Sequence, residues 1–534
     1  MPEPSYVPDG VEPAALHPII YVRGYAMTRG EINETTADPF CGFNVGSTVF
    51  RATADRGVPP RKFVFESPVV RLAKDFGYRD VYVEGEDTVA HESWDRGIPR
   101  QSVIVFRYYD DASTLLGRGV TPGIEAFAVE LGRLIARVRE RATWQGKAVP
   151  HDEFRCYLVA HSMGGLVCRA FLQNPECDPE GVRHHVDKLF TYATPHNGID
   201  VAGANIPGWL EKNDIDNFNR TRMAKYLALE PLLEKTDRVD WLPEAQFPSE
   251  RVFCLIGTNR ADYEAAQGLS RTFVGHGSDG LVRIENAFVC GTRDGAPSQP
   301  TAKAFVYRSH SGYFGIVNSE EAYQNLTRFL FGDLRVDIWL DIDELRLPEA
   351  VERAAGNRTV DALYQIEVLA SPRGKLWYLT RRMAEEDSVA CLRHQEFLAA
   401  GKPVSLHLST MFLANRARVR PERPSLAYSM TLGIRVPDYE IERRLWLDEH
   451  YEGGYIYRDA LVIELVPPGD GGSEWTVEYD WQKDSLTKAR TRVNVHELRK
   501  EKAEVAIPFE RATRPGASGR VRFVVGPWNR PGAP

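Results

Sequence analysis

Cysteine is scarce in this chain of 534 residues, with seven in all, an odd number at wide spacing and with no C-x-x-C pair. That excludes a disulfide framework and a cysteine zinc site, and it predicts a reduced, intracellular chain. No uninterrupted apolar run approaches the ~20 residues of a membrane span. The opening stretch, MPEPSYVPDGVEPAALHP, has no basic segment followed by an apolar one. It therefore predicts no signal peptide, and a cytoplasmic location is the expectation. Basic charge is not in excess: 66 Lys and Arg stand against 74 Asp and Glu, a net charge of −8. A mildly acidic chain lacks the basic face that nucleic-acid binding needs, so no nucleic-acid partner is expected. No repeat of fixed period is seen. What remains is 43% hydrophobic and 26% charged, the composition of a globular protein with a large core.

The pattern changes near residue 333. Before it, short apolar runs alternate with helical ones. His17–Val22, Gln101–Tyr108, Phe154–Ala160, Lys188–Ala193, Arg251–Ile256 and Ala304–Tyr307 read as strands. Between Thr121 and Trp144, Ile124, Phe127, Ala128, Leu131, Leu134, Ile135 and Val138 form an amphipathic helical stripe. Asn318-x-x-Glu321 reads as a capping box opening a helix that Gly332 ends. This alternation predicts a mostly parallel sheet covered on both faces. After 333 the period shortens toward two. Arg335–Leu345, Ala362–Ala370, Lys375–Thr380, Val404–Leu413, Leu426–Val436, Tyr455–Val466, Trp475–Trp481 and Arg520–Val525 predict an all-β, sandwich-like domain. The basic run Arg416–Arg423 reads as a solvated loop. The expected division is thus 1–332, an α/β domain, and 333–534, a β-rich domain of unassigned role.

The strongest chemical signal is Leu158-Val159-Ala160-His161-Ser162-Met163-Gly164-Gly165-Leu166-Val167. It fits a G-x-S-x-G elbow with Ala160 in place of the first glycine. Small residues are needed there because the chain turns sharply from strand to helix and lifts the Ser oxygen out of the turn. The alternative is an ordinary strand-to-helix turn with a capping Ser. A Ser hydroxyl needs a base, usually His, oriented by a carboxylate, and on this type of sheet the order is Ser, acid, His. His310 follows the last strand of the first region and is preferred over His276; His196 reads as structural. Asp279, flanked by Gly277 and Gly280, is the preferred acid over Asp262 and Asp294. The backbone N–H of Met163 is one expected oxyanion donor. The Val22–Tyr25 loop, with Gly24 allowing close approach, is expected to supply the other.

With these motifs in view, residues 17–332 resemble an α/β-hydrolase of the lipase/esterase type. The elbow and Thr191–Gly198 (TYATPHNG) resemble segments of triacylglycerol lipases and GPI inositol deacylases. Asp279–Val282 and Ser309–Gly312 resemble that group's acid and histidine loops. The resemblance implies Ser162 as nucleophile, His310 as base and Asp279 as its orienter. It also implies Tyr25 and Met163 as oxyanion donors, with no metal and no cofactor. Arg23-Gly24 stands where the group usually has His-Gly. An apolar insertion at about 198–248, with Trp209, Leu210, Tyr226, Leu229 and Leu233, is expected to form a cap and shape an acyl pocket. The expected substrate is a small-molecule or lipid ester. Competing readings are acyl transfer or amide cleavage by the same triad, an inactive hydrolase-fold binding protein, and a β domain that docks on membranes.

Overall fold

The computed structural model describes residues 16–24, 48–51, 61–64, 68–83, 86–87, 89, 97–106, 108, 123–146, 149–201, 204–205, 215–260, 277–310, 315–418, 422–441, 449–467, 474–483, 491–496 and 502–529. Contacts divide the chain into two units, 1–303 with 308–331, and 304–307 with 332–534.

The first unit is built on a sheet of seven strands, the last of which runs past Lys303 into residues 304–307. Its strands are β1 (Ile19–Val22), β2 (Arg79–Asp80), β3 (Ser102–Val105), β4 (Cys156–His161), β5 (Val186–Tyr192), β6 (Val252–Gly257) and β7 (Ala302–Val306), in the order β7-β6-β5-β4-β1-β3-β2. From β2 through β6 every neighbouring pair is parallel. Helices α1 (Pro68–Phe76), α2 (Ile124–Ala142), α3 (Met163–Gln173) and α6 (Glu320–Phe331) flank it, with two short insertion helices, α4 (Arg220–Tyr226) and α5 (Glu230–Thr236). This is the α/β-hydrolase arrangement.

Strands buried on both faces need apolar residues at every position, and β1 and β4 are fully buried along their length. Alternation then sorts the side chains. Ile20, Val22, Leu158 and Ala160 join the core cluster with Phe127, Leu131 and Ile135 of α2 and Leu166 and Ala170 of α3. On the opposite face Phe190 stacks on Phe253 and meets Phe329 of α6, while Tyr157 meets Phe331. The predicted stripe of α2 is buried from Ile124 to Val138. One boundary differs from expectation. The cap of α6 is Ser319, not Asn318: the Ser319 hydroxyl accepts from Ala322 N at 3.2 Å, and Asn318 belongs to a 3₁₀ turn, Ile316–Asn318.

The second unit is a pair of antiparallel sheets. β8 (Leu334–Arg346), β12 (Val404–Leu413), β17 (Ala503–Glu510) and β18 (Gly516–Pro527) make one, in the order β12-β8-β18-β17. β9 (Val360–Pro372), β10 (Thr380–Arg382), β13 (Leu426–Ile441), β14 (Glu449–Val466), β15 (Glu474–Trp481) and β16 (Thr491–His496) make the other, in the order β10-β9-β13-β14-β15-β16, with β11 (Ala390–Arg393) also on β9. Ile338 and Leu340 of one sheet share a core with Ile366, Leu432 and Leu461 of the other, as in a sandwich. The expected strand Lys375–Thr380 is instead a hairpin tip. Its residues 373–376 are exposed, and strand pairing resumes only at Thr380.

Candidate active site

β1 and β4 run side by side with Val22 abreast of Ala160. That register brings the chain after β1, Arg23-Gly24, against the turn after β4. Ser162 occupies this turn with φ +52° and ψ −127°, a backbone conformation costly for any residue with a Cβ. Three bonds hold it. Ser162 N donates to Tyr192 O at 2.9 Å, and Ser162 O accepts from Thr194 Oγ1 at 2.9 Å and from Gly165 N at 3.0 Å. The close approach explains two glycines. A Cβ at Gly164 would run into the carbonyl of Val22. One at Gly24 would lie 2.9 Å from His161 O and nearer still to Ser162 Cβ. The Tyr108 hydroxyl donates to Arg23 O and so ties this loop to the chain after β3.

Ser162 sits at the cap position of α3 but makes no side-chain cap bond. Its hydroxyl lies 2.9 Å from His310 Nε2 instead. His310 Nδ1 is 2.9 Å from Asp279 Oδ2. A carboxylate only accepts, so Nδ1 carries the proton and Nε2 is left to accept from Ser162. The second oxygen, Asp279 Oδ1, accepts from Leu281 N at 3.0 Å and Val282 N at 2.7 Å. The acid is thus fixed by the backbone of its own loop, where Gly280 has φ +102°. His310 N donates to Asp279 O at 2.9 Å, locking the two loops together. All three residues are buried: 6% exposure at Ser162, 3% at His310, 1% at Asp279.

Met163 opens α3, so its N–H is among the first-turn amides that have no partner within a helix. Such amides at the positive end of a helix are suited to an oxyanion. Tyr25, His276, Asp262, Trp209 and Leu210 lie outside the described residues. Asp294 is on an exposed hairpin turn and takes no part. His196 is fully buried, 3.2 Å from Thr191 Oγ1 and 3.6 Å from Cys254 Sγ. Burial holds its imidazole neutral, with a pKa well below the ordinary value.

Two residues were not singled out from sequence. His161 Nε2 donates to His310 O at 2.8 Å. Its imidazole is kept neutral chiefly by burial, then by the neighbouring His310. Arg169 is fully buried and donates to the carbonyls of His196, Val239 and Trp241, pinning the insertion to α3. A basic residue in the middle of an otherwise apolar helix, MGGLVCRAFLQ, was the available signal.

The apolar insertion divides. Tyr226, Leu227 and Leu229 are fully buried in the core that contains α2 and α3. The carbonyls of Tyr226 and Leu227 accept from Asn174 Nδ2 and Gln173 Nε2 at the C-terminal end of α3, the end far from Ser162. These side chains are spent on packing. Leu232 and Leu233 are only partly covered.

No family model matches the chain, and no curated protein matches it. Among solved structures it is similar to the mature lipase BlEst2 of Bacillus licheniformis: 16% identity over 62% of this chain and 96% of that one, with a TM-score of 0.29. Phospholipase PlaB of Legionella pneumophila is similar at 14% identity, over 82% of this chain and 90% of that one, with a TM-score of 0.30. Likenesses this distant leave the function to be argued from the site.

Proposed function

We propose that the protein is a serine hydrolase of carboxylic esters, with Ser162 as nucleophile, His310 as general base and acid, and Asp279 as the residue that orients the imidazole and compensates the charge it gains. The observation that carries this reading is the continuous line from Ser162 Oγ to His310 Nε2 and from Nδ1 to Asp279 Oδ2, each link 2.9 Å, on a hydroxyl that does not cap its helix. In the forward step Ser162 Oγ bonds to the ester carbonyl carbon while His310 Nε2 takes the hydroxyl proton. The carbonyl π pair moves onto oxygen, where the Met163 N–H stabilises it. Collapse expels the alcohol, which leaves with the proton from Nε2, and an acyl-Ser162 remains. Water, deprotonated by the same nitrogen, releases the acid and restores the serine. Asp279 stays ionised throughout and compensates the imidazolium.

The substrate class proposed is an uncharged small-molecule or lipid ester. No arginine or lysine cluster flanks the Ser162, Asp279 and His310 segments in the sequence, as an anionic reacting group would require. The test is labelling of the intact chain with a fluorophosphonate, peptide mapping, and turnover of aryl esters of increasing acyl length. Label on Ser162 with ester turnover supports the reading. A stable, folded chain that neither labels nor turns over any ester removes it.

A further inference from the structure

The hairpin joining β9 to β10 in the second unit has an unusual apex. The chain reverses through Gly374 at φ +82°, with Lys375 N donating to Pro372 O at 3.0 Å and Leu379 N to Ala370 O at 2.8 Å. Residues Arg373 to Leu376 are all exposed, and Leu376 is 90% exposed. The next residue, Trp377, is half-buried against the sandwich core. A leucine thus projects from a base that its neighbour anchors. Leaving so large an apolar side chain in water forfeits most of what burial would gain.

The charge on the tip itself is basic. Arg373 and Lys375 flank Leu376 on the tip. β9 pairs with β13 so that Pro372 lies abreast of Tyr428, and Arg373 N donates to Ala427 O at 2.9 Å. The segment leading into β13 therefore leaves the same end of the sheet as the tip. That segment carries the basic run Arg416–Arg423, four arginines against one glutamate. Arg423 is exposed, and among the described residues Arg373, Lys375 and Arg423 have no carboxylate partner.

We propose that this end of the β sandwich docks on an anionic lipid surface, Leu376 entering the interface and Arg373, Lys375 and Arg423 meeting the headgroups. An apolar apex ringed by cations matches a bilayer, where hydrocarbon lies beneath negative charge. A protein partner fits less well, because a stable interface covers ~800 Å² on each side, far more than a four-residue apex offers. The net charge of −8 does not oppose the contact. Screening confines electrostatics to about 8 Å at physiological salt, so the local cations decide. The inference stands apart from the triad, and its test needs no turnover.

The test is sedimentation of the full chain with vesicles of phosphatidylcholine, alone or mixed with phosphatidylglycerol. Binding is expected on the mixed vesicles and not on phosphatidylcholine alone, and it should weaken at high salt. Each basic residue at the surface is worth about fivefold in partition. Arg373→Glu with Lys375→Glu should thus lower binding at least ~25-fold, and Leu376→Glu about tenfold. All three positions are exposed, so the variants should fold and turn over a soluble short ester like the parent. The proposal is overturned if the parent ignores mixed vesicles, or if it binds them and the variants bind equally well. It is overturned equally if the parent self-associates, does not bind vesicles, and the variants dissolve that association; a second copy would then be the occupant.

Discussion

The two units each bring a hydroxyl, an imidazole and a carboxylate together, and only one arrangement can make a nucleophile. In the first, the serine hydroxyl faces His310, and His310 faces Asp279. In the second, Thr410 Oγ1 donates to Asp337 Oδ1 at 2.6 Å, while His407 Nε2 lies 3.2 Å from Thr410 Oγ1 and 3.5 Å from that same Asp337 oxygen. Arg335 grips Asp337 with two bonds, at 2.9 and 3.1 Å, and these charges hold its carboxyl well below the usual range. The threonine proton is thus aimed at a carboxylate already compensated by arginine, and no base stands in line. The backbones differ as well: Thr410 sits in a regular strand, Ser162 at a strained turn. Three matching side chains do not make a triad. Their order in space does.

The comparison is broken most directly at the hydroxyls. Ser162→Ala should abolish fluorophosphonate labelling and cut ester turnover about 10⁴-fold or more, while Thr410→Ala leaves both intact. Loss of activity in the threonine variant at unchanged stability would show that the second cluster takes part.

The two acids should separate activity from stability. Asp279→Asn should lower turnover about 10⁴-fold through the wrong histidine tautomer, with little change in unfolding free energy. Asp337→Asn should cost about 2–3 kcal/mol of stability, because Arg335, His407 and Thr410 lose an ionised partner. Turnover of a soluble ester should stay unaltered. Denaturant melts and steady-state kinetics on both variants decide, and a reversed pattern would exchange the two roles.

The approach of β1's loop to the elbow can be tested without touching the three residues. A methyl at Gly24 collides with Ser162, so Gly24→Ala should lower kcat about 10²-fold while the chain stays folded. Full activity would mean that the loop can retreat without consequence.

The smallest effect expected is in pH. His161 and His196 have folded-state pKa values well below 6.5, set by burial. The unfolded chain binds protons there that the folded chain refuses. Their contribution to stability is therefore complete above about pH 6.5 and is lost as pH falls. Lowering the pH from 7 to 5 should therefore shift the balance toward the unfolded chain at both residues. Melts of the parent and of His161→Gln between pH 7 and 5 measure it, and a variant with unchanged pH dependence would assign the effect elsewhere.

Local sequence determined the periodic elements and the elbow. A buried strand, a small-Ser-x-Gly turn and an apolar helix are all written within a dozen consecutive residues, so Ser162 could be named from its neighbours. His310 and Asp279 could be named from their places after late strands and between glycines. Tertiary structure decided what those signals do not contain. The 2.9 Å links join residues 148 and 31 positions apart, Ser162 to His310 and Asp279 to His310. Only parallel register with Val22 abreast of Ala160 places Gly24 against the elbow. The same holds where expectation and structure part. KLWYLT has the composition of a strand, yet its first residues turn outward, because β10 pairs with β9 only from Thr380. Tyr226 and Leu229 are apolar enough for a pocket wall, but the surface of α2 and α3 takes them into the core. Hydrophobic period is a property of the chain alone, whereas burial, pairing and the partner of each polar atom depend on what the rest of the fold brings to meet it.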